Sequence, residues 1–103
     1  MSELLDKRVR FTAGLARLIT YINYEDRSCA IAPDGFKHMP GSLHFKGLAK
    51  DLAIYKGDTY LTRTEDYRFA GEFWKSLDRD FRWGGDFRKP DGNHFSIAYH
   101  GKS

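Results

Sequence analysis

The sequence of 103 residues contains little cysteine and little proline: one Cys and three Pro. Cys29 alone cannot form an internal disulfide or a multi-cysteine zinc site, so we expect a small, half-buried residue there. The sequence also lacks an apolar run of about 20 residues, the length that a transmembrane helix requires. Stable membrane insertion is therefore not expected.

Long runs of basic residues are also absent, although basic residues are in excess. Seventeen Lys and Arg against fourteen Asp and Glu give a formal net charge of +3. Because these cations are scattered, the sequence does not favour a nucleic-acid partner, although a small basic nucleic-acid-binding domain stays an alternative. The modest positive charge suits an anionic partner such as a bacterial wall.

An ordinary secretory signal is not evident at the amino terminus, where Glu3, Asp6 and Lys7 interrupt any apolar stretch. We expect synthesis in the host cytoplasm, so that a wall or periplasmic substrate is reached only after release by another route. The length suits one domain, residues 1–103, and we expect a monomer.

Aromatic residues are plentiful, at 16% of the chain, and are sufficient to fill a small core. Helical spacing of Phe11, Leu15, Leu18 and Ile22 predicts an amphipathic helix from about 10 to 23. The pattern Thr62-x-x-Glu65 predicts a capped second helix. Its predicted buried face consists of Ala70, Phe73, Trp74 and Leu77.

Extended segments separate and follow these helices. The sequence predicts strands at 29–31, 48–55, 59–61 and 94–99, with a hairpin turn at 56–58 and a Gly-rich turn at 83–87. The pattern predicts the α+β class, with a small antiparallel sheet flanked by helices.

Metal-binding side chains occur in two clusters, around His44 and Asp51 and around Asp91 and His94. Two His and one Asp are ligands that zinc accepts, and a catalytic zinc needs three protein ligands and an open position. Considered alone, a His or an Asp near a strand end is more often a hydrogen-bonded structural residue than a ligand. Asp91-Gly92 is also a common turn dipeptide, a role compatible with catalysis. Surface exposure is the expectation for His38 and His100.

The segment Ser42 to Asp51 has the pattern S-x-H-x-x-G-x-A-x-D, and Asp91 to His94 reads as an acidic residue, two residues and then His. Together with Gly71–Trp74 and Trp83–Gly85, these motifs resemble the zinc D-alanyl-D-alanine carboxypeptidase and L-alanyl-D-glutamate endopeptidase family, which includes phage endolysins. The resemblance spans about residues 15–97 and implies the Hedgehog/DD-peptidase fold.

By this resemblance, His44, Asp51 and His94 are the zinc ligands, and Asp91 is the general base and later the general acid. Gly47 and Ala49 are expected to pack tightly under the metal. Ser42 is expected either to contact substrate or to form a turn hydrogen bond.

Family members also carry an Arg before the first motif. Lys37 occupies that place here, so we expect Lys37 to stabilise the oxyanion, with Arg27 as a second candidate. Trp83 is predicted to line the substrate cleft or to pack in the core.

The resemblance implies a hydrolase that cuts peptidoglycan stem peptides, as a phage or prophage endolysin acting on L-alanyl-D-glutamate. Two alternatives are a D-alanyl-D-alanine carboxypeptidase or dipeptidase and a non-catalytic zinc-containing module that binds the cell wall. The substitution of Lys37 for Arg is what keeps the last alternative open.

Overall fold

The computed structural model describes residues 1–33, 42–44 and 46–103. Two helices and five strands lie within these residues. They are α1 Glu3–Tyr24, β1 Ser28–Ile31, β2 Ala49–Lys56, β3 Thr59–Tyr60, α2 Arg68–Leu77, β4 Phe81–Trp83 and β5 His94–Ile97. Single 3-10 turns at Thr64–Tyr67 and Gly84–Asp86 precede α2 and follow β4.

The strands form one antiparallel sheet in the order β1-β2-β5-β4, with the short β3 paired to the carboxyl end of β2. The helices cover one face of this sheet. Leu52 and Ile54 of β2 and Phe95 and Ile97 of β5 are fully buried on that face, where Trp74 of α2 contacts Phe95 edge-on. This architecture confirms the predicted α+β class.

Helix α1 begins seven residues before the predicted start at residue 10. Ser2 caps it, because its hydroxyl accepts the Leu5 amide hydrogen at 3.1 Å. The additional turns are held by ion pairs of Lys7 and Arg10 with Asp80, contacts that an apolar spacing pattern cannot reveal. The predicted buried face is otherwise correct, with Leu15 half-buried beside it.

The start of α2 also differs from the prediction. The backbone N–H of Arg63, not of Thr62, donates to an acidic side chain three residues later, Asp66 Oδ2 at 3.4 Å. A 3-10 turn then precedes the helix, so the capping pattern Thr62-x-x-Glu65 is one residue out of register. Trp74 lies in the core as predicted.

Strand β4 was not predicted, because three residues are too few to show alternation. Its Phe81 pairs with Ile97 and its Trp83 with Phe95, which places Trp83 in a strand instead of a turn. The last strand ends at Ile97, two residues before the predicted Tyr99. Within the described part of the chain, neither helix is long and apolar enough to cross a membrane.

Candidate metal centre

Pairing of β2 with β5 brings two of the predicted ligands together. Asp51 is the direct partner of His94 in this ladder. Opposed residues of antiparallel strands project to the same face, with their Cβ atoms about 5 Å apart. Their neighbours Leu52 and Phe95 point into the core, so Asp51 and His94 lie on the face opposite the helices.

His44 comes from the turn that leads into β2. The Leu48 amide donates to the Leu43 carbonyl at 2.9 Å, which closes the turn, and the buried Leu43 anchors it. Ser42 Oγ accepts the His44 amide hydrogen at 3.2 Å. This bond supports the turn-forming role that was one of the two expectations for Ser42.

Gly47 serves this turn by its backbone conformation. Its φ is +73°, in the left-handed region that glycine tolerates without strain. A Cβ atom there would make only ordinary contact, 3.5 Å from the Arg8 side chain. Within the described part of the chain nothing packs tightly against Gly47, contrary to the expectation, whereas Ala49 is fully buried opposite Ser96.

The three predicted ligands form a compact triangle. His44 Nε2 lies 3.3 Å from His94 Nδ1 and 3.7 Å from Asp51 Oδ1. Asp51 Oδ1 lies 3.5 Å from His94 Nδ1. Both histidines are buried, at 7% exposure each, and Asp51 is half-buried.

These distances fit a divalent metal ion. Tetrahedral zinc with ligand bonds of about 2.0–2.1 Å places its ligand atoms about 3.4 Å apart. Asp51 Oδ1 is also buried, with no hydrogen-bond donor among the described residues. A buried carboxylate oxygen without a donor is costly, and a cation at the centre of the triangle would remove that cost. The residues present therefore fit zinc.

Asp91 occupies a tight turn that ends at His94. The Asp91 carbonyl accepts the His94 amide hydrogen at 3.1 Å, and the Asp91 amide donates to the Gly84 carbonyl at 2.9 Å. A Cβ atom on Gly84 would overlap the Asp91 carbonyl and lie 2.8 Å from His94 Cβ. Only glycine permits this close approach, which holds the exposed Asp91 beside a ligand.

Trp83 packs against this turn and bonds to it. It is 1% exposed, and its indole N–H donates to the Gly92 carbonyl at 2.7 Å. Gly71 and Gly85 lie against its ring so closely that a Cβ on either would overlap it. A side chain buried in this way has no surface for substrate, so the predicted cleft-lining role is corrected to core packing, the other expectation.

Two residues were predicted to stabilise the oxyanion, Lys37 and Arg27. Lys37 lies outside the described residues, as does His38. Arg27 donates to the Glu25 and Asp26 carbonyls at 3.2 and 3.4 Å. It precedes Ser28, which pairs with Tyr55, four residues along β2 from Asp51. Arg27 therefore lies at the far end of that strand.

Sequence reasoning did not single out Phe87, whose ring centroid lies 5.2 Å from that of His94. Phe87 follows the Gly84–Asp86 turn, and its half-buried ring packs beside the His94 imidazole. No sequence signal distinguished it from other aromatic residues. His100 is exposed as predicted and lies 3.3 Å from Glu3.

A small antiparallel sheet that carries a compact His–Asp–His group defines a domain with a candidate metal centre. The family model described as D-alanyl-D-alanine carboxypeptidase matches residues 37–97, more than half of the chain. The chain therefore belongs to the D-alanyl-D-alanine carboxypeptidase family of peptidases.

Among solved structures, the chain is similar to the L-Ala D-Glu endopeptidase ChiX of Serratia marcescens. The TM-score is 0.61 with 16% identity, over 94% of this chain and 87% of that chain. At this identity the likeness establishes a shared fold. No curated protein sequence matches the chain significantly.

Proposed function

We propose that this protein is a zinc-dependent peptidase that hydrolyses stem peptides of bacterial peptidoglycan. The observation that carries the proposal is the triangle of His44 Nε2, Asp51 Oδ1 and His94 Nδ1, with edges of 3.3 to 3.7 Å. Membership of a carboxypeptidase family supports hydrolysis as the reaction. The modest positive charge suits an anionic wall.

In the mechanism we propose, His44, Asp51 and His94 hold the metal and leave one position open. A zinc ion bound there supplies a Lewis acid and lowers the pKa of water towards about 7. The Asp91 carboxylate accepts a proton from the attacking water and later donates it to the leaving amine. The backbone hydrogen bond from the His94 amide to the Asp91 carbonyl supports this role, because it keeps Asp91 close to a candidate ligand.

Two bonds are candidates for cleavage. Similarity in fold to an L-Ala D-Glu endopeptidase favours the bond between L-alanine and D-glutamate. The family description favours removal of terminal D-alanine. We propose the endopeptidase, acting as a monomeric phage or prophage endolysin on the wall after release from the host cytoplasm.

The direct test is the release of new amino termini from purified peptidoglycan, with and without a chelator and after zinc is restored. We expect release that the chelator abolishes and zinc restores, with D-glutamate as the new terminus. Free D-alanine as the product would establish the carboxypeptidase instead. A folded, zinc-loaded protein that binds the wall but releases neither product would establish a non-catalytic binding module.

The ligand assignment has a separate test that does not depend on activity. We expect His94→Ala to abolish stoichiometric zinc binding, because two remaining ligands hold zinc poorly. His100→Ala is the matched control, since His100 is exposed, lies against Glu3 and does not belong to the triangle. Zinc per chain is measured by elemental analysis after dialysis, and full occupancy in His94→Ala would refute the assignment.

A further inference from the structure

A polar cleft of about 190 Å³ lies beside the turn that carries Asp91. Thr62, Arg63 and Thr64 line one wall, and residues 90–93 line the other. We propose that Arg63 binds the α-carboxylate of the leaving residue of the substrate in this cleft. This inference rests on the proposed function and adds to it a residue that determines specificity.

The two walls of the cleft are held together by close contacts. Gly92 lies against Thr64, because a Cβ atom at Gly92 would come within 2.8 Å of Thr64 Cα. Next to the wall formed by residues 62–64, the buried Tyr67 hydroxyl donates to the Leu61 carbonyl at 2.7 Å and accepts the Ile54 amide hydrogen at 3.1 Å. These bonds fix the segment that precedes Arg63, so the cleft is formed before a ligand binds.

The guanidinium of Arg63 is available to a ligand. The Arg63 side chain is 79% exposed, and its Nε forms an ion pair with Asp66 Oδ2 at 3.8 Å, a separation longer than a hydrogen bond. The same Asp66 oxygen accepts the Arg63 backbone N–H at 3.4 Å, which fixes the base of the side chain. A planar guanidinium can bind a carboxylate through two parallel N–H bonds.

The chemistry of the leaving residue explains why a cation is needed there. If Asp91 protonates the leaving amine, that amine lies next to Asp91, and so does the carbon to which it is attached. In both candidate substrates this carbon carries a carboxylate. Terminal D-alanine has a free carboxylate, and D-glutamate continues the stem peptide through its side chain, which leaves its α-carboxylate free. A carboxylate beside Asp91 would be repelled unless a cation such as Arg63 faced it.

The experiment uses matched peptides that differ by one charge. L-alanyl-γ-D-glutamyl-L-lysine is compared with the same peptide in which the α-carboxylate of D-glutamate is replaced by an amide. D-alanyl-D-alanine peptides are compared with their carboxyl-terminal amides. Both comparisons use the zinc-loaded protein. We expect the wild type to prefer the acids in KM. Arg63→Ala should remove this preference by raising KM for the acids about tenfold, the size of one charge-assisted contact, while kcat changes less than about twofold. Arg63→Lys should recover part of it.

Two controls and one further variant, Lys37→Ala, make the outcome decisive. Arg17→Ala removes an exposed arginine from α1 and should behave as the wild type. Calorimetric binding of the same peptide pairs measures the preference even where no hydrolysis occurs, so failure of the proposed function is distinguishable from failure of this inference. Equal KM and affinity for acid and amide, or a preference that persists in Arg63→Ala but is lost in Lys37→Ala, would overturn it.

Discussion

At the scale of single residues, the three candidate ligands are positioned by two different kinds of backbone. Asp51 and His94 are held by ladder pairing, which fixes side-chain direction through the alternation of the strands. His44 is held by a turn that depends on the positive φ of Gly47 and on the Ser42 hydroxyl. The single motif from Ser42 to Asp51 thus combines a turn and a strand, and both are needed to close the triangle.

In the proposed mechanism, replacing Asp91 would separate chemistry from metal binding. We expect Asp91→Ala to bind one zinc per chain and to unfold close to the wild-type temperature, because the side chain is exposed and does not belong to the triangle. Its kcat should fall about 10²- to 10⁴-fold, the usual loss for a general acid–base group.

The matched control for this variant is Asp58→Ala, which removes an exposed carboxylate from the β2–β3 hairpin. Stem-peptide hydrolysis, zinc content and thermal melting are measured on all three proteins. Unchanged turnover in Asp91→Ala would remove Asp91 from the mechanism, and loss of zinc would show that it supports the ligands.

At the scale of elements, the arrangement of the centre depends on how closely the Gly84–Asp86 turn approaches the Asp91 turn. We expect Gly84→Ala to destabilise the fold by about 1–3 kcal/mol, the usual cost of an added methyl group in a packed site. The new Cβ would overlap the Asp91 carbonyl, so activity should fall by more than the folded fraction does.

Gly57→Ala gives the comparison for that experiment. Gly57 has a φ of +60°, and no described residue lies within 4 Å of a Cβ placed there, so alanine adds backbone strain of about 1–2 kcal/mol without a collision among them. Urea unfolding and turnover at full folding separate the two variants. If Gly84→Ala kept wild-type turnover per folded molecule, the close approach of the two turns would not matter for the site.

Much of the element pattern could be predicted from the sequence, because α1, β1, β2 and β5 carry either helical apolar spacing or extended runs next to turn residues. The ligand set could be named only through a resemblance between motifs. Its geometry required the register of Asp51 against His94, and this register depends on contacts between residues 43 positions apart. Periodicity within a single segment contains no such information.

Other features could not be predicted for the same reason. The burial of Trp83 depends on Gly71 in α2 and on the Gly92 carbonyl, which are distant in sequence from one another. The capping box of the 3-10 turn fell at Arg63 and Asp66 because Tyr67 must reach Leu61 and Ile54. Tertiary contacts overrode the local capping preference there.

At the scale of the whole molecule, one ion-pair cluster joins α1 to the loop between α2 and β4. Arg10 contacts Asp78 through Nε at 3.0 Å and Nη2 at 2.6 Å, and its Nη2 also contacts Asp80 at 2.7 Å. Lys7 bonds Asp80 and the Ala98 carbonyl, at 3.2 and 2.9 Å. The cluster therefore ties the beginning of the chain to the residues that follow β5.

These contacts make stability depend on pH in a definite direction. Hydrogen bonds from Arg10 lower the pKa of Asp78, against an opposing effect of burial. Hydrogen bonds from Arg10 and then Lys7 lower the pKa of Asp80. A carboxylate with a lowered folded-state pKa adds stability above its unfolded pKa of about 3.9 and loses that stability as the pH falls through the folded value.

We therefore expect Arg10→Met to lower the free energy of unfolding by about 2 kcal/mol at pH 7, because bonds to two charged and partly buried carboxylates are lost while the apolar stem is kept. The deficit should persist at pH 5 and shrink at pH 3, because below about pH 3.9 the unfolded chain takes up protons that the paired carboxylates of the folded wild type resist. Arg17→Met, on the same helix but exposed, is the matched control and should show little deficit at any of these pH values.

Urea unfolding at pH 7, 5 and 3 measures the free energy of unfolding of each variant relative to the wild type. Metal loss at low pH affects all of these proteins, so its effect largely cancels in this difference. A deficit that stayed constant down to pH 3 would mean that Arg10 stabilises the fold by packing, and that the carboxylates of the cluster contribute nothing through their charge.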